Sequence, residues 1–123
     1  MRVLVVDDDA VQLLVLKKIF EKSHNTVVVA HNGKEALEEL HKDPGFNVIL
    51  TDIMMPEMDG LEFLGKVKED VLTKAIPVIG FTAGDVEYYR KKTPVPFDSL
   101  VPKPMDYWDL YNLAKTKASP FLN

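Results

Sequence analysis

The chain has 123 residues, 46% of them hydrophobic, with a formal net charge of −4 and no cysteine. That length fits one domain over 1–123, with a core across about 2–117 and a short tail, and the apolar share is enough to fill it. The charge balance gives no basic field for direct nucleic-acid binding, and the lack of cysteine excludes a disulfide framework, a thiolate nucleophile and a Cys-based zinc site.

Met1 and Arg2 lead straight into Val3 to Val6, an apolar run too short for a signal peptide or a membrane span. A cytoplasmic protein with no membrane contact, or one cytosolic domain of a larger protein, is therefore expected. Val3 to Val6 reads as a strand, followed by Asp7, Asp8 and Asp9. Ala10 to Lys22 is predicted helical, with an apolar stripe of Val11, Leu14, Val15, Ile19 and Phe20, and Asp9 is placed to cap it. Val27 to Ala30 is a second strand, and Lys34 to His41 a helix carrying Ala36, Leu37 and Leu40. Val48 to Leu50 runs through Thr51 to a carboxylate, Asp52, where a buried strand should be ending.

In the loop "MMPEMDG", Pro56 stiffens the chain and Gly60 gives a turn before a helix over Leu61 to Glu69. The pair Met54-Met55 reads as loop packing. Ile76 to Phe81 is a fourth strand, with Thr82 at its end. Asp85 to Lys92, "DVEYYRKK", has the poorest apolar stripe, and Pro94 and Pro96 stop it. Phe97 to Val101 is a fifth strand, followed by Lys103, and Met105 to Lys117 is a last helix with Leu110, Leu113 and Ala114. The tail "ASPFLN" reads as a domain end. His24, His31 and His41 stand isolated among polar residues and read as surface side chains.

Short β-branched runs alternating with amphipathic stretches predict a parallel sheet between two helical layers. A flavodoxin-like (βα)5 sandwich of strand order 2-1-3-4-5 is the expected fold. Functional groups in such a fold gather beyond the carboxyl ends of the strands. Asp7, Asp8, Asp52, Thr82 and Lys103 all stand there, and strands one and three are neighbours in that order. Two carboxylates about 4 Å apart repel by roughly 4 kcal/mol at an effective dielectric near 20, so such a cluster calls for a cation. Hard oxygen donors favour Mg²⁺, which keeps waters and completes its shell with phosphate oxygens. A carboxylate, ionised at neutral pH, needs no activating base; it needs its charge neutralised when a phosphoryl donor approaches. These are the parts for phosphoryl transfer to an aspartate.

The segments "VLVVDDD", "HNGKEAL", "NVILTDIMMPEMDGLEFL", "IPVIGFTAGD" and "LVPKPM", in that order and spacing, resemble the receiver domain of two-component response regulators. The resemblance runs from Arg2 to about Lys115. It implies that Asp52 accepts the phosphoryl group, that Asp8 binds Mg²⁺ directly with Asp7 supporting it, and that the backbone carbonyl of Met54 is a further ligand. Thr82 would hydrogen-bond one phosphoryl oxygen and Lys103 would pair with another, with Pro104 after a cis peptide bond. The donor would be a sensor histidine kinase or a histidine phosphotransfer domain. The protein would be a signalling domain with self-catalysed phosphotransfer and dephosphorylation rather than a conventional enzyme. It would stand alone and act by protein contact, or be a piece of a hybrid kinase or longer regulator. Met54 and Gly84, two positions beyond Asp52 and Thr82, would control entry of the hydrolytic water. Gly84 leaves its side open, and Met54 is placed to shield the other.

Three other readings compete. A haloacid-dehalogenase-like phosphatase would use Asp7 as nucleophile in "DDDAV", but the chain has no room for a cap domain and "MPEMDG" goes unexplained. An FMN binder would need Ser, Thr and Gly after the first strand, where three carboxylates stand. A receiver-like docking module that no longer switches would not need the full set of five polar groups. One departure from the receiver pattern concerns output. Receivers commonly carry Tyr or Phe three residues before the lysine, and here that residue is Leu100. The aromatic residues are elsewhere, at Tyr88, Tyr89, Tyr107, Trp108 and Tyr111. Tyr107 and Tyr111 can complete the core, whereas Trp108 is hard to bury on the same stripe as Leu110 and Leu113. Phosphorylation is expected to remodel the face of the fourth helix, fifth strand and fifth helix, with Trp108 reporting it.

Overall fold

A computed structural model of the protein describes residues 1–119. Ten elements alternate along it: β1 (Arg2–Val6), α1 (Ala10–Lys22), β2 (Thr26–Ala30), α2 (Gly33–Lys42), β3 (Val48–Asp52), α3 (Gly60–Glu69), β4 (Val78–Thr82), α4 (Val86–Lys92), β5 (Ser99–Pro102) and α5 (Tyr107–Lys117). Of the tail read as a domain end, Pro120 to Asn123 lie outside the described residues. All strand pairs are parallel, in the order β2-β1-β3-β4-β5. This is the flavodoxin-like order expected from the alternation.

Successive strand residues point to opposite faces, so each strand feeds two cores. Leu4, Val6 and Ile49 pack with Ala36, Leu40, Phe63, Leu64 and Val67 from α2 and α3. Val3, Val5, Val48 and Leu50 pack with Leu13, Leu16, Phe20, Leu110 and Ala114 from α1 and α5. Every helix starts on an Asx cap: Asp9, Asn32, Asp59, Asp85 and Asp106 each accept a backbone N–H from the first turn. Such a cap is worth about 1 kcal/mol. The capping role expected of Asp9 is thus observed, with Val11 N–H at 2.9 Å.

Three details differ from the sequence reading. On α1 the buried residues are Gln12, Leu13, Leu16 and Phe20, while Val11 and Leu14 face solvent. The first half of α1 is apolar nearly all round, so two stripes have helical spacing, and packing against β2 and α5 selects the second. β4 begins at Val78 rather than Ile76, because Pro77 has no N–H to give a ladder and only its carbonyl pairs, to Ile49 N–H at 2.9 Å. β5 begins at Ser99 rather than Phe97, because the Asp98 carboxylate takes the Val78 N–H at 2.7 Å. Phe97 instead turns onto Gly80, where a Cβ would lie 2.8 Å from its ring and 3.0 Å from Leu100. The two edge strands are less well covered: β2 has two buried residues, and the residues of β5 are all half-buried or exposed.

Candidate functional site

The pairing of β1 with β3 sets Val6 opposite Thr51, so the residues leaving both strands emerge side by side. Asp7 is fully buried, Asp52 is nearly so, and Asp8 is exposed. Carboxylate oxygens of the three lie within 4.8 Å of one another. Asp7 Oδ1 accepts the Asp9 N–H at 2.9 Å. Its Oδ2 is buried and has no hydrogen-bond partner among the described residues. An unpaired buried carboxylate oxygen is costly. Burial pushes the Asp7 carboxyl up to about 7; the Asp9 N–H and Lys103 oppose this, and the charges of Asp52 and Asp8 add to it.

Asp52 is held by two donors. Lys103 Nζ lies 2.8 Å from its Oδ2, and the Met54 N–H lies 3.1 Å from its Oδ1. Burial pulls the Lys103 ammonium down, but the hydrogen bond and charge of Asp52, with Asp7 and Asp9, more than reverse this and leave its pKa above the ordinary value. Lys103 is positioned from β4, its N–H reaching the Thr82 carbonyl at 2.7 Å, and its bond to Pro104 is cis as the resemblance implies. Thr82 is buried, and its Oγ1 accepts the Gly84 N–H at 2.9 Å.

The loop "MMPEMDG" folds as it does to support Asp52. A Cβ on Gly60 would sit 2.6 Å from the Asp52 carbonyl oxygen and 2.7 Å from Ile53 Cα, so only glycine lets α3 start against this backbone. The Gly60 N–H also bonds the Ile53 carbonyl at 2.8 Å. Between them Glu57 holds φ 67 under a 2.8 Å bond from Met58 N–H to the Pro56 carbonyl. Met55 is buried, while Met54 is 57% exposed. Loop packing therefore describes only one of the two methionines.

The structure brings Asp7, Asp8, Asp52, the Met54 backbone and Lys103 together, with Thr82 at the end of the next strand. It corrects the reading of the Gly84 side. Met54 faces solvent, and the Gly84 side is closed by a residue that sequence reasoning names only as an aromatic of the fourth helix, Tyr89. The capped first turn of α4 carries its ring back over Gly84, and the missing side chain at Gly84 is the signal that could have pointed to it.

Comparison with known proteins decides the family. The sequence profile described as the response regulator receiver domain matches residues 3–115. The chain belongs to that family. Two-component response regulator ORR5 of Oryza sativa subsp. japonica is 43% identical over 84 residues, which are 68% of this receiver and 63% of that protein. This receiver thus spans less than two thirds of the curated relatives it matches first. A match of 35% identity over 88 residues occupies only 11% of the 3',5'-cyclic-nucleotide phosphodiesterase regA of Dictyostelium discoideum. Among solved structures, the CheY-like receiver domain protein of Methanospirillum hungatei JF-1 superposes with a TM-score of 0.84 at 31% identity, covering 94% of this receiver and 91% of that chain. Chemotaxis protein CheY4 of Vibrio cholerae gives 0.82 at 25% identity, covering 94% and 97%. Receiver domains are signalling domains that bind Mg²⁺ at an acidic pocket, and histidine kinases or phosphotransfer proteins phosphorylate response regulators. No helix among the described residues is long and apolar enough to cross a membrane.

Proposed function

We propose that Asp52 takes a phosphoryl group from a partner phosphohistidine in a Mg²⁺-dependent step. The observation that carries this reading is the convergence of three carboxylates within 4.8 Å, one of them with a buried unpaired oxygen, beside a single ammonium. The donor set is all hard oxygen, and the unpaired Asp7 Oδ2 fits a cation with a water shell. Asp8, Asp52 and the Met54 carbonyl would hold Mg²⁺, with Asp7 supporting it. Bound there, the ion would neutralise charge on the phosphoryl oxygens.

In the step, a bond forms from an Asp52 carboxylate oxygen to phosphorus as the bond from phosphorus to the donor imidazole nitrogen breaks. Lys103 is already within hydrogen-bond reach of Asp52 and supplies a fixed positive charge to the incoming oxygens. The Thr82 hydroxyl, now accepting from Gly84, would turn to donate to another of them. The donor, a sensor histidine kinase or histidine phosphotransfer domain in the cytoplasm, must cover the pocket mouth. Exposed Met54, two residues beyond Asp52, and exposed Val11 and Leu14, on the helix that follows Asp7 to Asp9, are the large apolar side chains nearest in sequence to the site.

A haloacid-dehalogenase-like use of Asp7 is disfavoured because that side chain has no exposed surface, whereas Asp52 accepts a hydrogen bond from the Lys103 ammonium. Intact-mass measurement with acetyl phosphate and Mg²⁺ tests the assignment. Wild type gains one phosphoryl mass and Asp52→Asn gains none; equal incorporation in both overturns it.

A further inference from the structure

We propose that Tyr89 sets how long the phosphoryl group stays on Asp52, by filling the space that Gly84 leaves without a side chain. The inference rests on the phosphoacceptor role of Asp52 and adds a residue to it. A methyl group placed on Gly84 would lie 2.8 Å from Tyr89 Cε2, 3.4 Å from the Tyr89 hydroxyl oxygen and 3.3 Å from Thr82 Oγ1. The phenol edge and the Thr82 hydroxyl therefore border the same small volume. No real Cβ fits at 2.8 Å from a ring carbon, so Tyr89 occupies the place a side chain at position 84 would take.

The packing around the ring makes this specific to Tyr89. Its neighbour Tyr88 meets it edge to face at 5.1 Å, yet points outward, 52% exposed and hydrogen-bonded to Lys92 Nζ at 2.9 Å. Tyr89 is half-buried in a helix that has no fully buried residue. It is fixed one turn into α4 by its N–H to the Asp85 carbonyl at 3.2 Å, with Asp85 capping the helix. At the position two beyond Asp52, Met54 is 57% exposed.

The chemistry at stake is hydrolysis of the aspartyl phosphate. A water oxygen forms a bond to phosphorus while the bond from phosphorus to the Asp52 oxygen breaks. Asp52 leaves as a carboxylate, inorganic phosphate forms, and the proton passes to solvent. Tyr89 forms no bond in this step. Its ring takes up volume beside Thr82 that water would otherwise fill, so it is a positioning residue that keeps the nucleophile out. A phenylalanine ring would do the same.

The test loads the 123-residue protein with acetyl phosphate and Mg²⁺, removes the donor, and follows the decay of the phosphorylated mass. The decay constant is independent of how much label was loaded, so a folding defect that lowers loading does not imitate the effect. Tyr89→Ala decays about fivefold faster than wild type, equivalent to about 1 kcal/mol of barrier, and Tyr89→Phe stays close to wild type. A second pair of variants checks the shared volume by thermal melting. Gly84→Ala lowers the melting temperature in the wild-type background and is neutral beside Tyr89→Ala. Equal decay in wild type and Tyr89→Ala overturns the inference, as does Tyr89→Phe decaying like Tyr89→Ala, because the ring would still be present. Equal melting penalties in the two backgrounds overturn the shared volume. Failure of wild type to take up phosphate on Asp52 removes the proposed function itself, and this inference with it.

Discussion

The two sides of the pocket are built on opposite principles. On the β1–β3 side every residue of β3 is buried, and the carboxylates leave strands clamped between two cores. On the other side β4 is buried throughout, and the support thins out beyond it. β5 is half-buried, α4 has no fully buried residue, and Gly80 and Gly84 leave gaps that Phe97, Leu100 and Tyr89 fill from elsewhere. Charges that repel must be held by a scaffold that cannot relax away from them. A face that responds to those charges must be able to repack at low cost. The first side is the anchor and the second is the more thinly packed part.

The largest effect that would break this comparison is a loss of stability from the second side equal to one from the first. Phe63 has no exposed surface and sits in the α2–α3 core. Phe63→Ala should cost about 3–5 kcal/mol, as large-to-small core changes do. Leu100 is half-buried, and Leu100→Ala should cost about 1 kcal/mol. Urea unfolding of both variants measures the gap. Equal losses would mean that the β5 side is as firmly built as the β3 side.

A smaller effect sharpens what the anchor costs. Asp7 titrates near 3.9 in an unfolded chain and at about 7 in the folded one. Between those values the folded protein holds a proton that the unfolded chain has released. The contribution of Asp7 to stability therefore falls as pH rises from about 4 to about 7 and stays low above that. In the metal-free protein, Asp7→Asn should raise stability above about pH 7 by on the order of 2 kcal/mol and change little near pH 4. Mg²⁺ at a hundred times its dissociation constant should add about 2.7 kcal/mol to wild type, and both Asp7→Asn and Asp8→Ala should lose most of that response. Melting curves at two pH values, with and without Mg²⁺, give all the terms. A variant that tracks wild type at both pH values would remove the electrostatic cost assigned to Asp7.

The anchor side was also the legible side. Asp7, Asp8 and Asp52 follow runs such as "VLVV" and "NVIL", and continuous apolar runs identify doubly covered strands whatever their neighbours. Once the strand order is known, the cluster follows. Two things were hidden. Periodicity on α1 put Val11 and Leu14 in the buried stripe because they are as apolar as Leu13 and Leu16 and only tertiary packing separates them. Tyr89 was hidden because its role depends on an absence, the missing Cβ of Gly84, and on a helix whose own stripe is poor.

The smallest expected signal comes from Trp108, which lies on the responsive side but outside its gaps. It is 48% exposed, and its ring meets Tyr111 edge to face at 5.9 Å. Tyr111 in turn meets the buried Phe20 at 5.1 Å, so a row of aromatic rings runs from the surface into the α1–α5 core. A shift of α5 relative to α1 therefore changes the surroundings of the indole. Leu100 limits that shift. It already packs toward Gly80 and has no ring to swing, so movement of Thr82 toward a phosphoryl group should pass to β5 as a small rotamer change rather than a flip. With Mg²⁺ and beryllofluoride as phosphoryl mimic, Trp108 emission should move slightly and its quenching by iodide should change with it. Leu100→Tyr, which puts a ring back at that place, should enlarge both changes. If saturating mimic leaves emission and quenching untouched in wild type and in Leu100→Tyr alike, the α4–β5–α5 face is not where this receiver responds, and the glycine-spaced gaps around Phe97 and Tyr89 serve packing alone.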